Sequence, residues 1–258
     1  MIEGLGKAWR IGATGICFAC FGIGGLLLRI VVFPLLSCIL RVEHAHRQAS
    51  KDVIHFAFRG FVWLMCSLGV IRYEIRNAER LRRSGLLLVA NHPSLIDVVF
   101  LIALVRKADC VVKAALLRNP FTRGPLLAAG YICNDSGAGL IDDCLASLRA
   151  GNNLVIFPEG TRTPLRGSLK LQRGAANIAV RGCWALTPVT IRCEPSTLTK
   201  GEKWYHVPRR RPYFTIDVHE DVPPEAWARP GLEDAQAVRQ LTRSLSDFFS
   251  RETRREGA

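Results

Sequence analysis

Acidic residues are scarce in this chain of 258 residues: 22 Asp and Glu stand against 35 Lys and Arg, a formal charge of +13. Such a balance suits two kinds of partner, nucleic acid on one side and anionic lipid or anionic substrate on the other. Aromatic residues are not interleaved with the basic ones; Trp204 and Tyr205 near Arg209, Arg210 and Arg211 come closest. No nucleic-acid partner is therefore expected. No serine sits in a strand-to-helix elbow, and no GxxxxGK(S/T) loop is present. Both absences argue against a serine hydrolase and a P-loop nucleotide site. No metal-ligand cluster stands out, and the pair His44 and His46 reads as interfacial polar sequence. No disulfide framework is expected either. The nine cysteines are odd in number, scattered, and several lie in apolar runs, which points to a reducing compartment. Cys17 and Cys20 form a lone CxxC with no second pair, read as packing. No internal repeat is visible.

What is present is apolar surface: 49% of the residues are hydrophobic. Residues 11–28, "IGATGICFACFGIGGLLL", carry no charge, and after Arg29 the run "IVVFPLLSCIL" continues to Leu40. Eighteen uncharged residues suffice for a transmembrane helix. One helix over 11–40 would be about 45 Å long, more than a hydrocarbon core needs. Five glycines and Pro34 make a broken or re-entrant pair the alternative reading. Basic flanks at both ends give no orientation. The run is too long for a cleaved signal peptide and lacks a clear cleavage site. Residues 53–71 form a second apolar helix around Arg59, lying in the membrane interface or packed on the domain. We expect residues 1–52 to be an N-terminal membrane-associated helical segment and 53–258 to be one α/β domain.

From about residue 84 short apolar runs alternate with helical periods. "GLLLVAN" reads as a buried strand, with a helix from Pro93. "DCVVKA", "GYICN", "NLVIF", "LTPVTIRC" and "RPYFTIDVHE" read as strands. "LIDDCLASLRAG" and "RGAANIAVRG" read as helices, the first closed by Gly151. Leu232, Ala235, Val238, Leu241, Leu245 and Phe248 mark an amphipathic terminal helix, followed by a basic tail. This alternation predicts an α/β fold: a mixed, largely parallel sheet flanked by helices.

Two stretches can carry chemistry. In "VANHPSLIDVV", His92 stands at a strand end just before Pro93, where ligands of open α/β sheets collect. The positive end of a helix disfavours a protonated ring, and a neutral imidazole is what a general base requires. At the cap, outside helical geometry, the ring can fold back to Asp97, which would fix its tautomer. His-x4-Asp arises often by chance, so the spacing alone is a weak signal. The second stretch is "IFPEGTRTP". Gly160 lets backbone N–H groups approach an anion, Thr161 adds a hydroxyl, and Arg162 offers a planar fork for phosphate or carboxylate. Glu159 could accept hydrogen bonds from ligand hydroxyls. A base beside an anion clamp suggests direct transfer, in which a bound hydroxyl attacks an activated carbonyl.

These blocks resemble those of a known family. "NHPSLID" is similar to the NHx4D block of the glycerolipid acyltransferases, especially the 1-acyl-sn-glycerol-3-phosphate (lysophosphatidic acid) acyltransferases. "FPEGTRT" is similar to their EGTR block, "VVKAALLRNP" to a lysine-containing segment, and "LTPVTI" to a hydrophobic-proline block. Four blocks in order over residues 89–192 make the resemblance specific. It implies that His92 deprotonates the acceptor hydroxyl, steadied by Asp97, and that the donor is an acyl thioester, acyl-CoA or acyl carrier protein, with no other cofactor and no acyl-enzyme. It implies that Glu159, Gly160, Thr161 and Arg162 hold the headgroup of a lysophospholipid, that Lys113 faces anionic substrate, and that Pro188 shapes a pocket. It also implies a membrane partner and a site on the cytoplasmic side, as at a bacterial inner membrane. The chain departs from the family in two places. The family pattern Gly-x-Ile-x-Ile-Asp-Arg is "GYICNDSG" here, with no arginine after Asp135. A family lysine ahead of the helix after EGTR is Gln172, with Arg173 beside it and Lys170 nearby. An amino-acid lipid, a polyene-linked lipid or another lysolipid as acceptor stays open, as do a thioester hydrolase and a non-catalytic lipid binder.

Overall fold

The computed structural model describes residues 2–135, 139–164, 169–227 and 233–254. The expected helix residue Leu232, and Ser136 and Gly137 of "GYICNDSG", lie outside the described residues.

The N-terminal run is one rod. Helix α1 (Ile2–Leu27) continues through a π-turn (Leu28–Val32) into α2 (Phe33–Ile39). Pro34 falls in the first turn of α2, where its missing N–H is tolerated, and so it does not break the rod into a re-entrant pair. After a short bend the chain returns as α3 (Glu43–Ser67). Residue 52, the boundary expected between membrane segment and domain, lies inside α3. Ser50, Lys51, Ile54, His55, Val62 and Met65 are its buried face, while Phe56, Arg59 and Trp63 are exposed on the other.

Among the described residues the sheet has seven strands: β1 (Arg72–Arg76), β2 (Leu87–Ala90), β3 (Ala108–Val112), β4 (Ile132–Cys133), β5 (Asn153–Ile156), β6 (Leu186–Glu194) and β7 (Tyr213–Val218). Their order is β1-β7-β6-β2-β5-β3-β4. Among the described strands only the β6–β7 pair is antiparallel, so the sheet is mixed and largely parallel, as expected. Strands β2 and β5 are buried at every residue, which is why β2 reads as an unbroken apolar run and β5 as one from Leu154 onward. Strand β1, "RYEIR", was not expected; an edge strand can be mostly charged because only its backbone joins the sheet.

Helices α3, α4 (Asp97–Leu104) and α5 (Pro120–Ala129) cover one face of the sheet. The other face carries α6 (Leu140–Arg149), α7 (Gly174–Gly182) and α8 (Asp234–Arg254). The amphipathic period of α8 buries Val238, Leu241, Leu245 and Phe249, whereas Ala235 is exposed. Helix α5 escaped the sequence reading because Gly124 and Pro125 sit in its middle. Both have a tertiary reason. Pro125 has no N–H for the carbonyl of Phe121 four residues back, and that oxygen faces Gly25 of α1, where a Cβ would stand 2.5 Å from it. A Cβ on Gly124 would likewise meet the Arg29 Cβ at 2.5 Å. The two glycines let α1 and α5 cross backbone to backbone, and Arg29 Nη1 donates to the Pro120 carbonyl at 3.0 Å.

Lys51 anchors α3 to the sheet. Its Nζ donates to Asp109 Oδ2 at 2.8 Å with both side chains buried, and Ser147 Oγ donates to the same oxygen. Removing one partner of a buried pair leaves an uncompensated charge. Asp109→Ala is expected to destabilise the fold by about 3–5 kcal/mol, and the double variant Lys51→Met/Asp109→Leu to recover most of that loss. Chemical denaturation of the three proteins checks it; a double variant no better than Asp109→Ala would refute the account.

Candidate active site

Parallel pairing creates the site. Strands β2 and β5 are neighbours with Val89 opposite Ile156, so both C-terminal ends open on one edge of the sheet. The stretches "NHPSLID" and "FPEGTRTP" leave those ends and meet there. Asn91, buried at the end of β2, locks the exit: Nδ2 donates to the Ile191 carbonyl at 2.8 Å and Oδ1 accepts from the Ile191 N–H at 2.7 Å.

The two stretches are then stitched together. The His92 N–H donates to Glu159 Oε1 at 3.0 Å and to Thr163 Oγ1 at 3.2 Å. Thr163 Oγ1 donates to Glu159 Oε1 at 2.6 Å, and the Thr163 N–H donates to the His92 carbonyl at 2.6 Å. Glu159, read from the sequence as a ligand acceptor, is therefore buried and uses Oε1 to hold the backbone of His92. Burial pushes its carboxyl above the usual range, against the hydrogen bonds from Thr163 and His92 that pull it down.

His92 Nδ1 lies 2.8 Å from Asp97 Oδ2. The ring stacks on Phe157 with centroids 4.3 Å apart and 29° between planes. With Nδ1 engaged, Nε2 is the ring nitrogen left for a ligand. Helix α4 does not begin at Pro93, as expected, but at Asp97. Residues 93–96 form a turn instead, because the Asp97 carboxylate accepts the Ser94 N–H at 2.6 Å and the Leu95 N–H is taken by the Leu198 carbonyl at 3.1 Å. That turn leaves the imidazole free to fold back over Asp97. Asp97 is fully buried, and burial pushes its carboxyl up to about 6 despite the hydrogen bonds from His92 and Ser94. Its position in the first turn of α4 favours negative charge, and Oδ1 has no hydrogen-bond partner among the described residues.

Gly160 has φ +63° in the bend 157–163, and its N–H donates to the Phe157 carbonyl at 3.0 Å. Thr161 is half-buried beside it. Arg162 is partly engaged by the protein itself. Its Nη1 donates to the backbone carbonyls of Leu198 at 2.9 Å and Thr199 at 2.8 Å, so part of the guanidinium fork is already engaged by protein. Lys113, at the end of β3, is exposed and no hydrogen bond or ion pair joins its side chain to this cluster. Pro188 is buried within β6, in register with Val89. Ser94, Thr163 and Phe157 were missed as site residues although all three lie in or beside the two quoted stretches. Their signal was position: hydroxyls and an aromatic ring at the open ends of buried strands. Among the described residues, no three His, Cys, Asp or Glu side chains gather to hold a metal ion.

Comparisons with known proteins agree with this architecture. Residues 72–192 match the family model described as Acyltransferase. Over 167 residues the chain is 28% identical to the 1-acyl-sn-glycerol-3-phosphate acyltransferase of Pseudomonas aeruginosa, covering 61% of this chain and 64% of that protein. Over 141 residues it is 26% identical to a 1-acyl-sn-glycerol-3-phosphate acyltransferase of Chlamydomonas reinhardtii, covering 53% of this chain and 42% of that one. The matches thus span less than two thirds of the length of these curated relatives. The crystal structure of the 1-acyl-sn-glycerophosphate (LPA) acyltransferase PlsC from Thermotoga maritima aligns over 100% of both chains with a TM-score of 0.70. At 17% identity, that likeness is one of fold.

Proposed function

We propose that the protein transfers an acyl group from an acyl thioester to the hydroxyl of a lysophospholipid, a reading supported by the match of residues 72–192 to the Acyltransferase family model. We take the acceptor to be 1-acyl-sn-glycerol 3-phosphate and the product phosphatidic acid. The observation that carries the proposal is the imidazole of His92: one nitrogen engaged by a buried carboxylate, the other unengaged beside a bend with an arginine in it. Nε2 takes the proton of the acceptor hydroxyl as its oxygen attacks the thioester carbon. The C–O bond forms, the C–S bond breaks, and the imidazolium returns the proton to the departing thiolate. Asp97 holds the tautomer and stabilises the imidazolium between these two transfers. The leaving thiol belongs to coenzyme A or an acyl carrier protein, and no further cofactor is needed.

Arg162 is the candidate for the acceptor's charge, with Nη1 on the protein and the rest of its fork turned to the headgroup. Arg162→Ala is expected to raise the acceptor KM about tenfold with kcat within about twofold. Initial-rate kinetics with each substrate varied in turn check it; an unchanged acceptor KM with a raised thioester KM would move Arg162 to the donor side.

We read the membrane relation from packing. By length and composition the segment Gly6–Ile39 could cross a bilayer. It is nevertheless docked along the domain: Trp9 Nε1 donates to the Leu68 carbonyl, Phe21 packs on Phe58 and Phe61 of α3, and Arg29 holds Pro120. Its outward face exposes Ile16, Ile23, Leu27, Ile30 and Leu35. A helix with one flank on a polar domain can give only the other flank to lipid, so we place it in the plane of one leaflet, with the site on the cytoplasmic side where acyl thioesters are found. Incubation of the purified protein with labelled acyl thioester and a panel of lysolipids, followed by mass analysis, tests the activity. Thiol release at full rate without any lysolipid would replace the transferase by a hydrolase.

A further inference from the structure

The segment 195–211 between β6 and β7 touches the candidate site and the N-terminal helix in turn. At its start, the Thr197 carbonyl accepts from Ser94 Oγ at 2.9 Å and the Leu198 carbonyl accepts from the Leu95 N–H at 3.1 Å. The carbonyls of Leu198 and Thr199 then hold Arg162 Nη1. Leu198 sits in the left-handed region at φ +53°, a conformation a leucine keeps only when its surroundings impose it. Glu202 fixes the next turn, its Oε2 accepting from the Thr199 N–H at 2.9 Å and from Thr199 Oγ1 at 3.1 Å. Two residues on, the Trp204 ring lies on α1: its centroid is 6.0 Å from that of Phe18, and a Cβ on Gly15 would stand 3.3 Å from it. Arg10 of α1 donates to the carbonyls of Pro208 and Arg209, closing the far end.

From this continuity we infer that Trp204 is a positioning residue for the acceptor. It rests on α1, fixes the strap that follows Thr199, and through the Leu198 and Thr199 carbonyls sets the direction of the Arg162 fork. Trp204 touches no substrate in this scheme; Arg162 does. Acceptor recognition therefore depends on where α1 lies, and α1 is the element that meets the membrane. The inference rests on the acyl-transfer reading and deepens it.

The test is a split in kinetic constants measured with 1-acyl-sn-glycerol 3-phosphate and an acyl thioester. Trp204→Ala is expected to raise the acceptor KM about tenfold while the thioester KM and kcat stay within about twofold, and Trp204→Phe to restore the acceptor KM. In an Arg162→Ala background, Trp204→Ala should add no more than about twofold, because both act through one guanidinium. Gly15→Leu, which displaces the indole from the other side, should reproduce the Trp204→Ala pattern; it carries the test if Trp204→Ala does not fold. Gly12→Ala, with nothing within 4 Å of the added carbon, should leave all constants unchanged. An unchanged acceptor KM in Trp204→Ala and Gly15→Leu, an equal rise in the KM of both substrates, or full additivity with Arg162→Ala would each overturn the positioning role. Absence of any acyl transfer by the wild-type protein would instead overturn the proposed function itself.

Discussion

His92→Ala is expected to lower the rate of acyl transfer by on the order of a thousandfold while leaving the fold and membrane binding in place. The magnitude is that of losing a positioned general base, about 10²–10⁴. The fold should survive because the backbone of His92, not its ring, makes the bonds that join the two stretches: its N–H to Glu159 and Thr163 and its carbonyl to the Thr163 N–H. Alanine keeps all of them. What disappears is the ring on Phe157, its Nδ1 bond to Asp97 and the proton acceptor at Nε2. Single-turnover transfer with saturating thioester and lysolipid, with circular dichroism on the same samples, reads both halves. Turnover near that of the wild type in a folded variant would remove His92 from the mechanism.

Asp97→Asn is expected to separate activity from stability. The buried carboxyl binds its proton more tightly in the folded chain, titrating near 6, than an ordinary aspartate near 3.8 does. A group whose folded value is raised stabilises the fold fully at low pH and loses that contribution as the pH climbs through 6. At neutral pH the ionised side chain therefore weighs against the fold, and it is kept for the imidazole it steadies. Asparagine removes the buried charge. Its oxygen can take the Oδ2 place beside His92 and Ser94, and its NH₂ then occupies the Oδ1 place, which has no partner among the described residues. Transfer should fall on the order of a thousandfold, since a neutral amide cannot stabilise the imidazolium. The midpoint of thermal unfolding should be no lower than that of the wild type above pH 7, and any advantage should vanish toward pH 4. In the wild type, the same protonation should give transfer an acid limb, with activity falling below about pH 6 as Asp97 becomes neutral. An Asp97→Asn protein with near-normal turnover would rule out the steadying role.

The residues that legibly announced themselves were those whose local chemistry is the signal. Leu87–Ala90 and Leu154–Ile156 read as buried strands because they are apolar throughout, and the helical period of Val238, Leu241 and Leu245 was visible because its residues are apolar too. "NHPSLID" and "FPEGTRTP" were found because a histidine and a glycine-arginine turn at strand ends are unusual places for such groups. Other features were hidden because their reason lies elsewhere in the chain. Gly124 and Pro125 look like helix breakers until Gly25 is placed opposite the carbonyl that Pro125 leaves unbonded. The start of α4 moved from Pro93 to Asp97 because Leu198, about a hundred residues later, takes the Leu95 N–H.

By itself the sequence determined the apolar character of the N-terminal run, the alternation of strands and helices, and the identity of the side chains that could handle a proton or an anion, because periodicity and residue chemistry are local properties. Only the tertiary structure decided which of those side chains work outward and which inward. Glu159 Oε1 is turned onto the backbone of His92, and Arg162 gives one nitrogen of its fork, Nη1, to the strap at Leu198 and Thr199. A hydrogen bond is made with whatever group the fold brings within 3 Å or so, and that neighbour is set by strand order and chain return, which no short motif contains.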